Sequence, residues 1–257
     1  MLKEKDAVVR RAMMLTDGGV ALFSFFIAYF LRQYFHFFYK IDLFPSVNLI
    51  AQNTAPIESY IGLALFVAPL WCVMLYFSKS YASMRTKTNI DITWSVLKAA
   101  LLTAVSFSVV VFLFKFTFVS RAFFVIFMTI STFFLLTEKL IVFQTARVVR
   151  KIGYNYRRLI IVGTGARAAN FISIIKVHPE WGFKIQALLD YDKDLVGKYI
   201  EGLQVVGTLD DLQDILLDKT TDEVVFIVPK SALAKIEDSM RICETLGIKG
   251  QVLYSFQ

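Results

Sequence analysis

The hexapeptide Gly163-Thr164-Gly165-Ala166-Arg167-Ala168 is the stretch whose residue types and spacing could do chemistry. It follows a short apolar run, Arg158-Leu159-Ile160-Ile161-Val162, and opens a helical pattern that continues to about Ile175. In a G-x-G-x-x-A turn the first glycine permits the tight passage from strand to helix. The second lets a ligand approach the backbone, and a small third residue lets helix and strand pack closely. Amides at the helix start can hold an anion. Asp190 closes a second apolar run, Phe183 to Asp190, where an acid can bond a ribose hydroxyl. The candidate binding set is therefore Gly163, Thr164, Gly165, Ala166, Arg167, Ala168 and Asp190. Two readings stay open: a nucleotide or nucleotide-sugar held at the turn, or glycines that serve only the turn and its packing. Arg167 could meet a phosphate, but reads better as a solvated helix residue.

Other chemistry is missing from the pattern. No Tyr-x-x-x-Lys and no base beside a nucleophile supports hydride transfer or covalent catalysis. Cys72 and Cys243 make no CxxC or metal spacing and read as free, buried thiols. His36 and His178 are too far apart in sequence to suggest a ligand set. Neither a catalytic residue nor a metal site is assigned.

The elements that must position the glycine turn alternate. After the turn come the helix to Ile175 and the strand Phe183–Asp190, then a helix over Asp210–Leu217 and a strand over Glu223–Val228. Ser231 reads as the N-cap of a helix over Leu233–Leu246, Gly247 as its C-cap, and Lys249–Tyr254 as a last strand. Such alternation predicts a parallel sheet with right-handed crossovers.

The first half is different. The chain is 56% hydrophobic with a mean hydropathy of +0.58, and only Phe171, Phe183, Phe226 and Phe256 of its 25 phenylalanines lie beyond residue 150. Four stretches approach the roughly 20 apolar residues needed to cross a bilayer: Ala12–Leu31, Tyr60–Phe77, Val96–Phe114 and Ala122–Val142. In lipid each must be a helix. The first is too long for a signal-peptide core and reads as a retained anchor. A basic amphipathic stretch, Glu138–Lys151, leaves the fourth span. Predicted domains are thus a transmembrane region over 1–150 and a Rossmann-like domain over 151–257.

The net charge of +7 points to the membrane surface, and no nucleic-acid partner is expected. Lys3, Lys5, Arg10 and Arg11 precede the first span, and Lys79, Arg85 and Lys87 separate the second and third. Arg147, Arg150, Lys151, Arg157 and Arg158 follow the fourth, while the loop from Gln33 to Glu58 holds only Lys40. By the positive-inside rule both termini are cytoplasmic, although Lys115 and Arg121 count against it. Asp17, one turn into the first span, is expected to pair with Arg10, Arg11 or a basic residue of a neighbouring helix.

Several stretches carry a resemblance over almost the whole chain. They include Leu15-Thr16-Asp17, Leu75-Tyr76-Phe77-Ser78-Lys79-Ser80-Tyr81, Ser120-Arg121, and Arg150-Lys151-Ile152-Gly153-Tyr154-Asn155 leading into Ile160–Gly165. His178-Pro179-Glu180-Trp181-Gly182-Phe183, Gly207–Leu212, Asp222–Phe226 and Cys243–Ile248 complete the set. Together these resemble the N-terminal region of bacterial polyprenyl glycosylphosphotransferases, which initiate exopolysaccharide, capsule or O-antigen assembly. The resemblance implies four transmembrane helices and a CoA-binding-like Rossmann domain in the bacterial inner membrane. It also implies transfer of sugar-1-phosphate from a nucleotide sugar to a polyprenyl phosphate.

In that family the transfer belongs to a later domain with an Asp-Glu pair and a divalent metal, such as magnesium. Asp222-Glu223 heads a core strand and Asp210-Asp211 a helix, so no catalytic residue carries over. The chain is expected to anchor, oligomerise with itself and regulate a downstream or separate catalytic domain, and to be inactive alone. The alternatives are the N-terminal half of a membrane nucleotide-sugar 4,6-dehydratase and a ligand-free interaction module.

Overall fold

The structure is a computed structural model that describes residues 2–38, 55–229 and 233–253, with side chains from residue 7 to 33 in the first segment. Contacts divide the chain into two compact units, Met1–Gln144 and Thr145–Gln257. The architecture is four long apolar helices followed by a six-stranded, mostly parallel α/β domain of Rossmann-like type.

The helices are α1 (Leu2–Phe38), α2 (Ile57–Phe77), α3 (Asn89–Leu113) and α4 (Arg121–Lys151). All four are long and apolar enough to cross a membrane. Each extends beyond the apolar core read from the sequence, because polar turns continue a helix once it is nucleated. α3 starts seven residues before Val96, where Thr88 accepts a hydrogen bond from Asp91 N and the Asp91 carboxylate bonds back to Thr88. This reciprocal cap satisfies two donors that a helix start leaves unpaired.

The bundle interior is aromatic. Phe25 meets Phe123 and Phe127 edge-on, with centroids 5.0 and 5.4 Å apart, and Tyr60 packs on Phe118 and Phe123. Many large apolar side chains point outward instead, among them Leu101, Phe112, Leu113 and Phe133. A surface so apolar suits contact with a membrane or another apolar partner and not with water.

Two buried polar clusters cross the bundle. Tyr60 Oη accepts from Arg32 Nη1 at 2.6 Å and donates to the Phe118 carbonyl at 2.7 Å. Asp17 finds its partner on α4: Lys139 Nζ lies 2.6 Å from Oδ1 and 2.8 Å from Oδ2, and Tyr81 donates to Oδ2 at 2.6 Å. Of the expected partners, the neighbouring-helix basic residue is the one observed, while Arg10 and Arg11 are exposed. Cys72 is only half-buried, contrary to expectation, and its thiol donates to the Met14 carbonyl.

In the second unit the strands are β1 (Arg157–Val162), β2 (Phe183–Asp190), β3 (Tyr199–Ile200), β4 (Leu203–Thr208), β5 (Glu223–Phe226) and β6 (Lys249–Val252), ordered β3-β4-β2-β1-β5-β6. All neighbours run parallel, as the alternation of strands and helices predicts, except the added antiparallel edge pair β3–β4. Side chains alternate faces along a strand, so Leu159 and Ile161 enter one core while Ile160 and Val162 enter the other. α5 (Ala166–Val177) covers the first face. α6 (Leu212–Asp218) and α7 (Leu233–Thr245) cover the second, where Cys243 is buried.

β3 and β4 are missing from the sequence reading. α6 begins after Asp210 and Asp211, because the Asp211 carboxylate accepts from Thr208 N at 2.7 Å and closes a turn first. That amide and the Thr208 hydroxyl hold the Asp211 carboxyl below the usual carboxylate range. Ser231, Lys40, His36 and Tyr254 lie outside the residues or side chains described.

Candidate functional site

In the sheet order, β1 sits between β2 and β5, and the chain crosses to opposite sides of β1 on leaving it and on returning. In open α/β sheets, ligands bind at such a reversal, outside the carboxyl ends of the strands. The glycine turn occupies this place. Gly163 N donates to the Leu189 carbonyl at 2.8 Å, and the residue has φ +115°. A Cβ there would drive into the Ile227 carbonyl oxygen just past β5. Both its backbone angle and the close approach of a neighbouring segment therefore require glycine. Gly165 is another matter. It is the exposed N-cap of α5, has ordinary φ −63°, makes no side-chain cap, and has open space where a Cβ would stand. Nothing in the protein itself demands glycine at that position.

The remaining predicted residues separate by role. Ala168 is buried against the sheet, which is the close helix packing expected of a small third residue. Ala166 and Arg167 are exposed in the first turn of α5. Asp190 is only 2% exposed and both its oxygens are engaged: Thr164 Oγ1 donates to Oδ2 at 2.7 Å, and Asp192 N donates to Oδ1 at 3.0 Å. The structure thus brings Asp190 to the turn, where it ties the end of β2 to the loop. The groups a ligand can reach are the amides of the α5 start, which carry the positive end of the helix dipole, and the side chains of α5.

A cleft of about 210 Å³ lies beside that start, lined by Arg167, Asn170, Phe171, Ile174, Ile227 and Leu253. Asn170 stands one turn beyond Arg167 and shares its helix face. Sites for whole drug-sized ligands run to roughly 300–1,000 Å³, so this cleft is smaller than a complete ligand site. Of these residues sequence reasoning had only Arg167, and missed Asn170, Phe171, Ile174, Ile227 and Leu253. The available signal was the short apolar segment Ile227-Val228 after β5, since the strand next to the turn must help to wall the site.

A second polar group lies in the same unit. Glu180 Oε1 is 3.0 Å from Arg147 Nη2 and 3.0 Å from His178 Nδ1, and the His178 ring stacks on Trp181 at 4.6 Å. Burial favours the neutral acid, yet the bonds from His178, its own backbone and Arg147 prevail and hold the carboxyl down to about 2. Among the described residues, no three His, Cys, Asp or Glu side chains gather as a metal site.

The family model of the CoA-binding domain matches residues 77–249, well over half of the chain. The chain belongs to the CoA-binding domain family. In this CoA-binding domain protein the match takes in α3 and α4 as well as β1 to β5, and the glycine turn lies inside it. No curated protein matches the chain. Among solved structures, similarity is found to the crystal structure of RSP, a Rex-family repressor, with 15% identity and a TM-score of 0.37. That match covers 46% of this chain and 55% of the other. RSP in complex with beta-NADH, and with beta-NAD+ and operator DNA, matches at 16% identity and the same TM-score and share of this chain, covering 55% and 52% of those chains. This CoA-binding domain protein therefore spans about half the length of these structures.

Proposed function

We propose that the chain is the membrane-anchoring and regulatory part of a polyprenyl-phosphate sugar-1-phosphate transferase, and that its α/β domain senses a nucleoside diphosphate at the glycine turn. One observation carries the ligand reading. Gly165 is exposed and sterically unconstrained at a helix start, beside the Arg167–Asn170 cleft, in a domain of the CoA-binding family. A glycine that the fold does not need is explained by a ligand that approaches the backbone. Coenzyme A, NAD and UDP-sugars all present the required diphosphate.

The transferase reading rests on the resemblance in the order of parts. It places the chain in the bacterial inner membrane with both termini cytoplasmic, as a homo-oligomer beside a downstream or separate catalytic domain. The competing reading, a ligand-free interaction module, is favoured by one fact: Asp190 spends both carboxylate oxygens inside the loop.

Titration of the detergent-purified chain with coenzyme A, NAD and UDP-glucose, followed by thermal unfolding, separates these readings, because a ligand of the folded state raises its stability by mass action. Saturable stabilisation by one of the three supports sensing. No shift at millimolar concentrations supports the interaction module. For the regulatory role, the chain alone should release no UMP from UDP-sugars with undecaprenyl phosphate and Mg²⁺. Robust release would overturn it.

A further inference from the structure

α4 is 31 residues long, about 46 Å at 1.5 Å per residue. A hydrocarbon core is about 30 Å thick, so the last turns of α4 extend past it. Those turns carry Arg147 and Arg150, and Arg157 opens β1. The acids beside them are already committed. Glu180 takes Arg147 and His178, and Glu223 lies 3.7 Å from Arg157 and 3.3 Å from Lys249.

Arg150 has no such partner. It is 8% exposed, and its Nε and Nη1 are closed off from solvent without a hydrogen bond. Its charge is also opposed by those of Arg157 and Arg147. An arginine in a last helical turn can bond the terminal carbonyls, but these two nitrogens bond none. Guanidinium cannot shed its proton, and a buried charge without a partner is strongly unfavourable. The missing component is an anion, and the guanidinium fork matches phosphate oxygens in pairs.

We propose that Arg150 is the anchor of an anion site for a phosphate group, with Arg147 and Arg157 at its rim. The site is separate from the glycine turn and does not depend on the reading of that turn. A phospholipid headgroup and a soluble phosphate offer the same oxyanion, and the two are separable by experiment.

The full chain, stripped of lipid in neutral detergent, is unfolded thermally with dioleoylphosphatidylglycerol, dioleoylglycerol or inorganic phosphate as the probe. Dioleoylglycerol has the same tails and no phosphate. Stabilisation by phosphatidylglycerol and not by dioleoylglycerol assigns a lipid headgroup, and stabilisation by inorganic phosphate alone assigns a soluble source. In either case Arg150→Gln should weaken the response at least tenfold and Arg150→Lys by less. Arg10→Gln, at an exposed position, should leave it unchanged. Arg150→Met fills similar volume without charge and, free of ligand, should be at least as stable as wild type. The proposal is overturned by no response in wild type, by an equal response in Arg150→Gln, by an equal loss in Arg10→Gln, or by an Arg150→Met protein that unfolds without ligand.

Discussion

Lys139 on α4 and Asp17 on α1 form an ion pair of 2.6 Å with both side chains wholly buried, 122 positions apart in sequence. Removing Lys139 leaves the buried Asp17 carboxylate without its cation, at a cost of about 3–5 kcal/mol, whereas removing Asp17 leaves Lys139 beside Glu138 at 3.4 Å. Lys139→Met should lower the unfolding midpoint in detergent sharply and Asp17→Leu by less, since Glu138 still faces Lys139, and the double variant should recover part of the Lys139→Met loss. Additive losses in the double variant would refute the pairing. Tyr81→Phe removes one hydrogen bond to the carboxylate and should cost about 1.5–3 kcal/mol.

The two glycines of the turn should respond differently to alanine. Gly163→Ala meets the Ile227 carbonyl at a positive φ and should destabilise the protein by at least 1–3 kcal/mol, whatever ligand is added. Gly165→Ala meets nothing and should leave the melting temperature of the free protein within a degree or two. Its effect should fall on ligand affinity, measured by the same titration. Unchanged affinity in Gly165→Ala would remove the main support for a ligand at the turn.

Glu180 makes stability depend on acid. Its carboxyl titrates at about 2 in the folded protein against 4.5 ordinarily. A depressed folded value means that the unfolded chain binds the proton first. The stabilisation is therefore complete above pH 4.5 and is lost as pH falls from 4.5 towards 2. Urea midpoints measured across that window should decline in wild type, and Glu180→Gln should flatten the decline. Parallel slopes would contradict the assignment.

Burial pushes the Cys243 thiol up to about 11. Only the thiolate is a good nucleophile, so at pH 8 the native protein should resist N-ethylmaleimide at Cys243 for hours, and denaturation should expose it at once. Mass spectrometry of the Cys243 peptide reads the result, and rapid labelling of the native protein would show that the core around α7 opens.

Much of this fold was legible because its signals are local. The four spans are long apolar runs, and β1, β2 and β5 are short ones buried on both faces. β4 was passed over because Gln204 and Val206 face outward while Val205 and Gly207 face in. Its signal is alternation over six residues, with few apolar side chains to announce it. The antiparallel pairing of β3 has no local mark, since two residues carry no period.

At the candidate site Gly163 and Ala168 could be read from residue type, as each answers a backbone or packing need, and Gly165 from its place in the G-x-G-x-x-A spacing. Asn170, Ile227 and Leu253 could not, because they converge only when three separate elements are laid side by side. Arg150 reads in sequence as a topology charge and Arg32 carries no mark at all, because nothing in sequence distinguishes a solvated arginine from a buried one. The partner of Asp17 was legible only as a class, since an acid inside a span calls for some cation without saying which.

α4 runs unbroken through Gln144, where the two units divide. Any attempt to produce the α/β unit as a fragment must therefore cut within a helix or discard its end. A fragment starting at Arg157 would retain the sheet but strand Glu180 without Arg147, removing one of the bonds that keep it ionised in acid. Fragments that begin upstream of Arg147 retain that bond, and comparing the two lengths at low pH would show how much the trailing turns of a long apolar helix contribute to the α/β unit.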